Sequence, residues 1–137
     1  MKHVEPEVSV ELEVPFHDVD MLRVVWHGHY YRYFELARTA LLRKYALDGE
    51  RLLETGYMFV VIESQCRHTF PLRLGERVRV GAAFKDVNFR LNVAFEVFNL
   101  SQHKRAAYGH TTLATVDHEG RLMLRTPDSI LERLRHV

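Results

Sequence analysis

Polar and apolar residues alternate one by one at the start of the chain: Val8, Val10, Leu12 and Val14 fall on one side, Glu7, Ser9, Glu11 and Glu13 on the other. A period of two predicts a first strand with one wet face. The period then changes. Tyr30, Phe34, Ala37, Leu41 and Tyr45 recur at helical spacing, flanked by Tyr33 and Ala40, with Arg32, Glu35, Thr39 and Arg43 towards the opposite side. This predicts a helix that begins near His27 or Gly28 and ends near Leu47, with one face buried. Glu50 to Glu54 can add a helical turn before Gly56.

From Tyr57 onwards the chain reads as strand after strand. An extended run to Phe70 is broken by Pro71 and Gly75; Val78, Val80, Ala82 and Phe84, then Leu91, Val93, Phe95 and Val97, alternate with more polar neighbours. Tyr108 to Val116 supplies another strand, Asp117-His118-Glu119-Gly120 a hairpin turn, Leu122 to Leu124 a short last strand, and Pro127 opens a final helix through Leu134. Short loops between successive strands require antiparallel neighbours. The expected class is therefore α+β, a sheet of five or six strands curled round one long N-terminal helix that buries Tyr30, Phe34, Ala37 and Leu41. Such a sheet leaves an edge unpaired, which a second copy of the chain would cover, so a homodimer at least is expected.

Length and composition narrow the classes. The 137 residues carry no linker, repeat or low-complexity stretch, and read as a single domain over 1–137. With 47% hydrophobic and 27% charged residues the chain is globular rather than disordered. A formal charge of +1 offers no basic field for nucleic acid. The longest apolar run, Tyr57 to Ile62, is far too short for a membrane span. One cysteine, Cys66, and no signal-like apolar core near Met1 make a reducing cytoplasm the expected compartment.

Candidate chemistry gathers between Phe16 and Arg43. Asp18 and Asp20 lie on a short non-periodic segment just before the long helix. The first N–H groups of a helix lack intrahelical partners and sit at the positive end of its dipole, so they suit an anion or a developing oxyanion. Asp20 is too far upstream to be a simple N-cap and is free to act on a group held at those amides, as base or nucleophile. The alternative is that both aspartates merely accept turn hydrogen bonds, and that His27 bonds locally.

The segments Asp18-Val19-Asp20, Val24-Val25-Trp26-His27-Gly28-His29-Tyr30 and Tyr33-Phe34-Glu35-Leu36-Ala37-Arg38 resemble the signature of the 4-hydroxybenzoyl-CoA thioesterase-like acyl-CoA thioesterases of the hotdog fold. Pro71 to Glu76 resembles the turn between that family's second and third strands. The resemblance implies an acyl-CoA thioesterase that needs no cofactor or metal, with Asp20 catalytic and the His27 N–H polarising the thioester carbonyl. It also implies sites between subunits, and so a homodimer or homotetramer. Arg23 departs from the pattern, where the family commonly has glycine; this implies a changed loop path or a side chain reaching towards the site.

Trp26, Tyr30 and Tyr31 offer an aromatic neighbourhood for an acyl group, Gly28 is a further substrate-binding candidate, and Arg90 is the best candidate for a CoA phosphate, with Lys85 and Arg67 behind it. An acyl-carrier-protein thioester is an alternative substrate, and a non-catalytic acyl-binding module an alternative role. Weaker rivals are Cys66 as nucleophile with His68 as base, and a metal held by His27, His29, Asp18 and Asp20. Glu35 is expected to pair with Arg32 or Arg38 at helical spacing.

Overall fold

The computed structural model describes residues 5–135. Strand β1 (Val8–Glu13) leads through a short 3-10 turn (Phe16–Asp18) and a closed loop into helix α1 (His29–Lys44). A short helix α2 (Gly49–Leu53) follows, then β2 (Tyr57–His68), β3 (Arg77–Asp86), β4 (Leu91–Asn99), β5 (Lys104–Asp117) and helix α3 (Asp128–Arg135). The five strands form one antiparallel sheet in the order β1-β3-β4-β5-β2, with β1 and β2 at its edges.

The apolar stripe read from the sequence is the buried face of α1: Tyr30, Tyr33, Phe34, Ala37 and Leu41 are all buried. They meet Val78, Val80, Phe95 and Val97 on the concave side of the sheet, and the rings of Phe34 and Phe95 stack with centroids 4.4 Å apart. Burying such a face is the main source of the helix's stability, since isolated helices of this length are marginal in water. Glu35 faces outward and pairs with Arg38 at 3.6 Å, the helical spacing expected.

Two expectations need correction. Leu122 to Leu124 is not a strand: Leu122 makes one isolated bridge to Val116, because the tight turn at Asp117–Gly120 leaves the returning chain beside β5 only briefly. The sheet therefore has five strands. The ladder of β2 also stops at His68, two residues early, because the Thr69 and Phe70 N–H groups both donate to the Ala106 carbonyl and break the pairing rhythm. Gly120, at φ 83°, takes the left-handed position its turn requires.

Candidate active site

The loop between β1 and α1 is fixed by its own backbone. The Asp20 N–H donates to the Val24 carbonyl at 3.0 Å and the Arg23 N–H to the Asp20 carbonyl at 2.9 Å, which closes a tight turn. Arg23 sits in the left-handed region at φ 68°, the conformation a glycine adopts without cost. Val25 N–H donates to Leu72 O at 2.8 Å, and Val24 bridges Arg73, tying the loop to the turn between β2 and β3.

The two aspartates divide the work. The 3-10 turn aims Asp18 inward, where it is 1% exposed; its Oδ2 accepts from the Tyr33 hydroxyl at 2.6 Å and its Oδ1 from Arg32 Nη2. Burial alone would raise the Asp18 carboxyl, but the Tyr33 hydrogen bond and the Arg32 guanidinium outweigh it and hold the group below the ordinary carboxylate value. The same burial, with Asp18 beside it, pushes the Tyr33 hydroxyl far up, so it stays a donor. Asp18 is thus an anchor between loop and helix.

Asp20 faces the other way. Its Oδ1 accepts the Leu22 N–H at 2.8 Å, and its Oδ2 has no partner among the described residues. It lines a cavity of about 420 Å3 together with His27, Tyr30, His68 and Phe70. A second, apolar cavity of about 730 Å3 lies on its other side, lined by Phe16, Met21, Arg23 and Leu74. Asp20 is the residue the two share, and Arg23 does reach the neighbourhood of the site.

At the helix start, Gly28 is the N-cap with helical angles (φ −65°, ψ −24°), and α1 runs on from His29. The His29 N–H returns to Trp26 O and the Tyr30 N–H to His27 O, whereas the His27 and Gly28 N–H groups have no acceptor among the described residues. A Cβ at Gly28 would lie 2.2 Å from the outer edge of the Trp26 ring, so any larger residue there displaces that ring. Trp26 itself is half exposed and packs against the rings of His27 and His29, at 5.1 and 5.4 Å. Tyr30 is buried, its hydroxyl pushed up to about 12 chiefly by that burial.

The model of the thioesterase-like superfamily matches residues 14–134, the whole of this arrangement. The chain belongs to that superfamily. A Synechocystis protein carrying the name of an esterase is 28% identical over 128 residues, 92% of this chain and 77% of its own. A Thermus thermophilus thioesterase, crystallised with coenzyme A and Zn, is 28% identical with a TM-score of 0.78, over 95% of this chain and 93% of that one. A 1,4-dihydroxy-2-naphthoyl-CoA thioesterase from Synechocystis is only 15% identical but shares the fold, with a TM-score of 0.80 over 94% and 96% of the two chains. The architecture is the hotdog fold, and family membership makes the chain a thioester hydrolase.

Other sequence candidates of this thioesterase-like protein lie apart. Arg90 stands just before β4 and lines neither cavity that Asp20 lines; its Nη1 donates to the carbonyls of Phe89, Met123 and Leu124. Cys66 is half-buried, and burial pushes its thiol up to about 11, which makes it a poor nucleophile at neutral pH. Among the described residues no three His, Cys, Asp or Glu side chains converge as a metal site, and Asp18 is committed to Arg32 and Tyr33. His68 is the cavity residue that sequence reasoning weighed only beside Cys66. Its ring stands edge-on to Tyr30 at 4.5 Å and 6.4 Å from the ring of His27. No helix among the described residues is long and apolar enough to cross a membrane.

Proposed function

We propose that the protein hydrolyses acyl-CoA thioesters, with Asp20 as the catalytic carboxylate and the N–H groups of His27 and Gly28 as donors to the oxyanion. One observation carries this reading: Asp20 and His27 line one cavity at the entry to α1, where the N–H groups of His27 and Gly28, just before the first helical residue, have no acceptor among the described residues. A thioester carbonyl placed there would meet backbone donors on its oxygen and a carboxylate oxygen on its carbon or on an attacking water. Asp20 either deprotonates that water or attacks to form an anhydride that water then opens. The acyl group lies against Tyr30 and Phe70, which line the cavity where Trp26 does not, and the CoA arm leaves through its open side. Arg90, with Nη2 lacking an acceptor among the described residues, is the phosphate contact proposed.

A second copy completes this picture. Strand β2 is an edge strand along which Met58, Val60, Val61 and Ile62 are all exposed. Long apolar edges of this kind are templates for pairing. We infer that β2 joins β2 of a second subunit, and that a carrier-protein thioester is the alternative substrate if CoA esters fail.

The test is release of free thiol from aryl, short, medium and long acyl-CoA esters by the natural protein and by Asp20→Asn. Hydrolysis that falls by about a thousandfold or more in the near-isosteric variant is expected. Equal rates in the two proteins would remove Asp20 from the chemistry. Tight binding of the esters without any turnover would favour an acyl-binding module instead.

A further inference from the structure

We propose that His68 is a second proton-transfer residue of this site, taking up the proton that Asp20 removes from water and delivering it to the departing thiolate. The assignment rests on the thioesterase reading above and adds the route by which Asp20 is reset. His68 is the last residue of β2, paired with Ala107 on β5, where the strand ladder ends and the chain turns towards Pro71. That position brings the imidazole to the wall of the cavity that Asp20 lines. The buried ring of Tyr30, in edge-on contact, and the ring of His27 flank the imidazole, while the residue as a whole remains exposed.

Water bonds through its oxygen to the thioester carbon while one of its protons passes to the Asp20 carboxylate, and the carbonyl electron pair moves onto oxygen. The oxyanion re-forms the carbonyl and the C–S bond breaks with its electron pair on sulfur. Asp20 passes its proton to the neutral imidazole of His68, and the imidazolium protonates the thiolate. Water and thioester thereby become carboxylic acid and thiol, with Asp20 and His68 back in their starting states. An imidazole suits the relay because its affinity for a proton lies between those of a carboxylate and an alkyl thiol.

The resting imidazole has to be neutral to accept that proton. Partial loss of water around the ring, and then the neighbouring His27, push His68 below its ordinary 6.5. The ionisable groups around it are Asp20 and His27 from the loop and helix start, Tyr30 from α1, and Cys66 on its own strand; Ala107 opposite it brings no charge. Protonation in the resting enzyme blocks the uptake step, so kcat falls once the medium is acidic enough to protonate His68.

The test compares hexanoyl-CoA and benzoyl-CoA with the 4-nitrothiophenyl esters of the same acids, using the full chain, His68→Gln, His68→Phe, His27→Gln and Asp20→Asn. An arylthiolate leaves without a proton, so the expected result is a loss of about a hundredfold in kcat on the CoA esters for both His68 variants but little loss on the aryl esters. Asp20→Asn loses activity on both, and the acid limb of the kcat profile disappears in His68→Gln. Equal losses on the two ester types, an unchanged acid limb, or a leaving-group dependence carried by His27→Gln instead would overturn the role of His68 alone. No turnover of the CoA esters by the natural protein would overturn the thioesterase reading and this assignment with it.

Discussion

Replacing Asp18 by asparagine tests whether the loop is held by a buried carboxylate. The Asp18 side chain is fully buried and accepts from both Tyr33 and Arg32. Asparagine keeps one oxygen for Tyr33 but turns an amide donor towards the guanidinium, so one charge-assisted bond is lost and a donor faces a donor. Leaving a buried charge uncompensated costs about 3–5 kcal/mol. Arg32, however, is 45% exposed and can recover water, which lowers the expected cost. A destabilisation of about 2–3 kcal/mol follows, and Tyr33→Phe, which removes one neutral donor to the carboxylate, costs about 1–2 kcal/mol. Urea unfolding of the two single variants and the double variant measures both, and a coupling of at least about 0.5 kcal/mol is expected between neighbours that share a bond. The pH dependence gives the sign. A carboxyl held below its unfolded value of 3.8 contributes stability that is complete above that value and fades as pH falls through the lower folded one. The gap between natural protein and Asp18→Asn is therefore full at pH 7 and shrinks below about pH 4. A gap that stays constant from pH 7 to pH 3, or additive single variants, would refute the account of Asp18 as an ionised anchor.

Three further outcomes follow from the same geometry. Gly28→Ala drives the Trp26 ring from its seat, since the new Cβ would overlap it at 2.2 Å; because Trp26 is the one tryptophan of the chain, its fluorescence reports the move directly, and an unchanged spectrum would contradict the packing. Arg23→Gly relieves a left-handed backbone worth about 1–2 kcal/mol but loosens the unfolded chain by about 0.4–1 kcal/mol, so thermal unfolding should show a small net gain, while Arg23→Val should be clearly destabilised. Val60→Lys places a charge on the exposed β2 edge, and light scattering should then find smaller particles than for the natural protein if β2 joins the subunits.

What the sequence could show depended on whether the signal was local. The α1 stripe is a repeat of period 3.6 inside one segment, and it placed the buried face correctly down to Leu41. The Pro71 to Glu76 turn likewise lies between β2 and β3 as its proline and glycine suggested. The difference between Asp18 and Asp20 is not local, because it depends on Arg32 and Tyr33, 14 and 15 residues beyond Asp18. A hint was available in that polar pair near the helix start, next to an otherwise apolar stripe. His68 had no such hint: its place beside Tyr30 and His27 arises only when the end of β2 meets the start of α1. Arg90 is bonded to carbonyls 33 and 34 residues away, again beyond the reach of spacing.

Arg23 shows how the site geometry survives a residue unsuited to it. A side chain at φ 68° is disfavoured, and the sequence alone left open whether the loop would take another path. Instead the backbone is over-determined around it: Asp20 N–H to Val24 O, Arg23 N–H to Asp20 O and Trp26 N–H to Asp18 O close the loop, and the Asp18 carboxylate fastens it to α1. Together these bonds outweigh a local cost of about 1–2 kcal/mol at one residue. Because the closure comes from backbone atoms and from Asp18, Asp20 itself need not be spent on holding the loop. Its Oδ2 is left without a partner among the described residues, which is the state a carboxylate must be in to meet water or a thioester carbon.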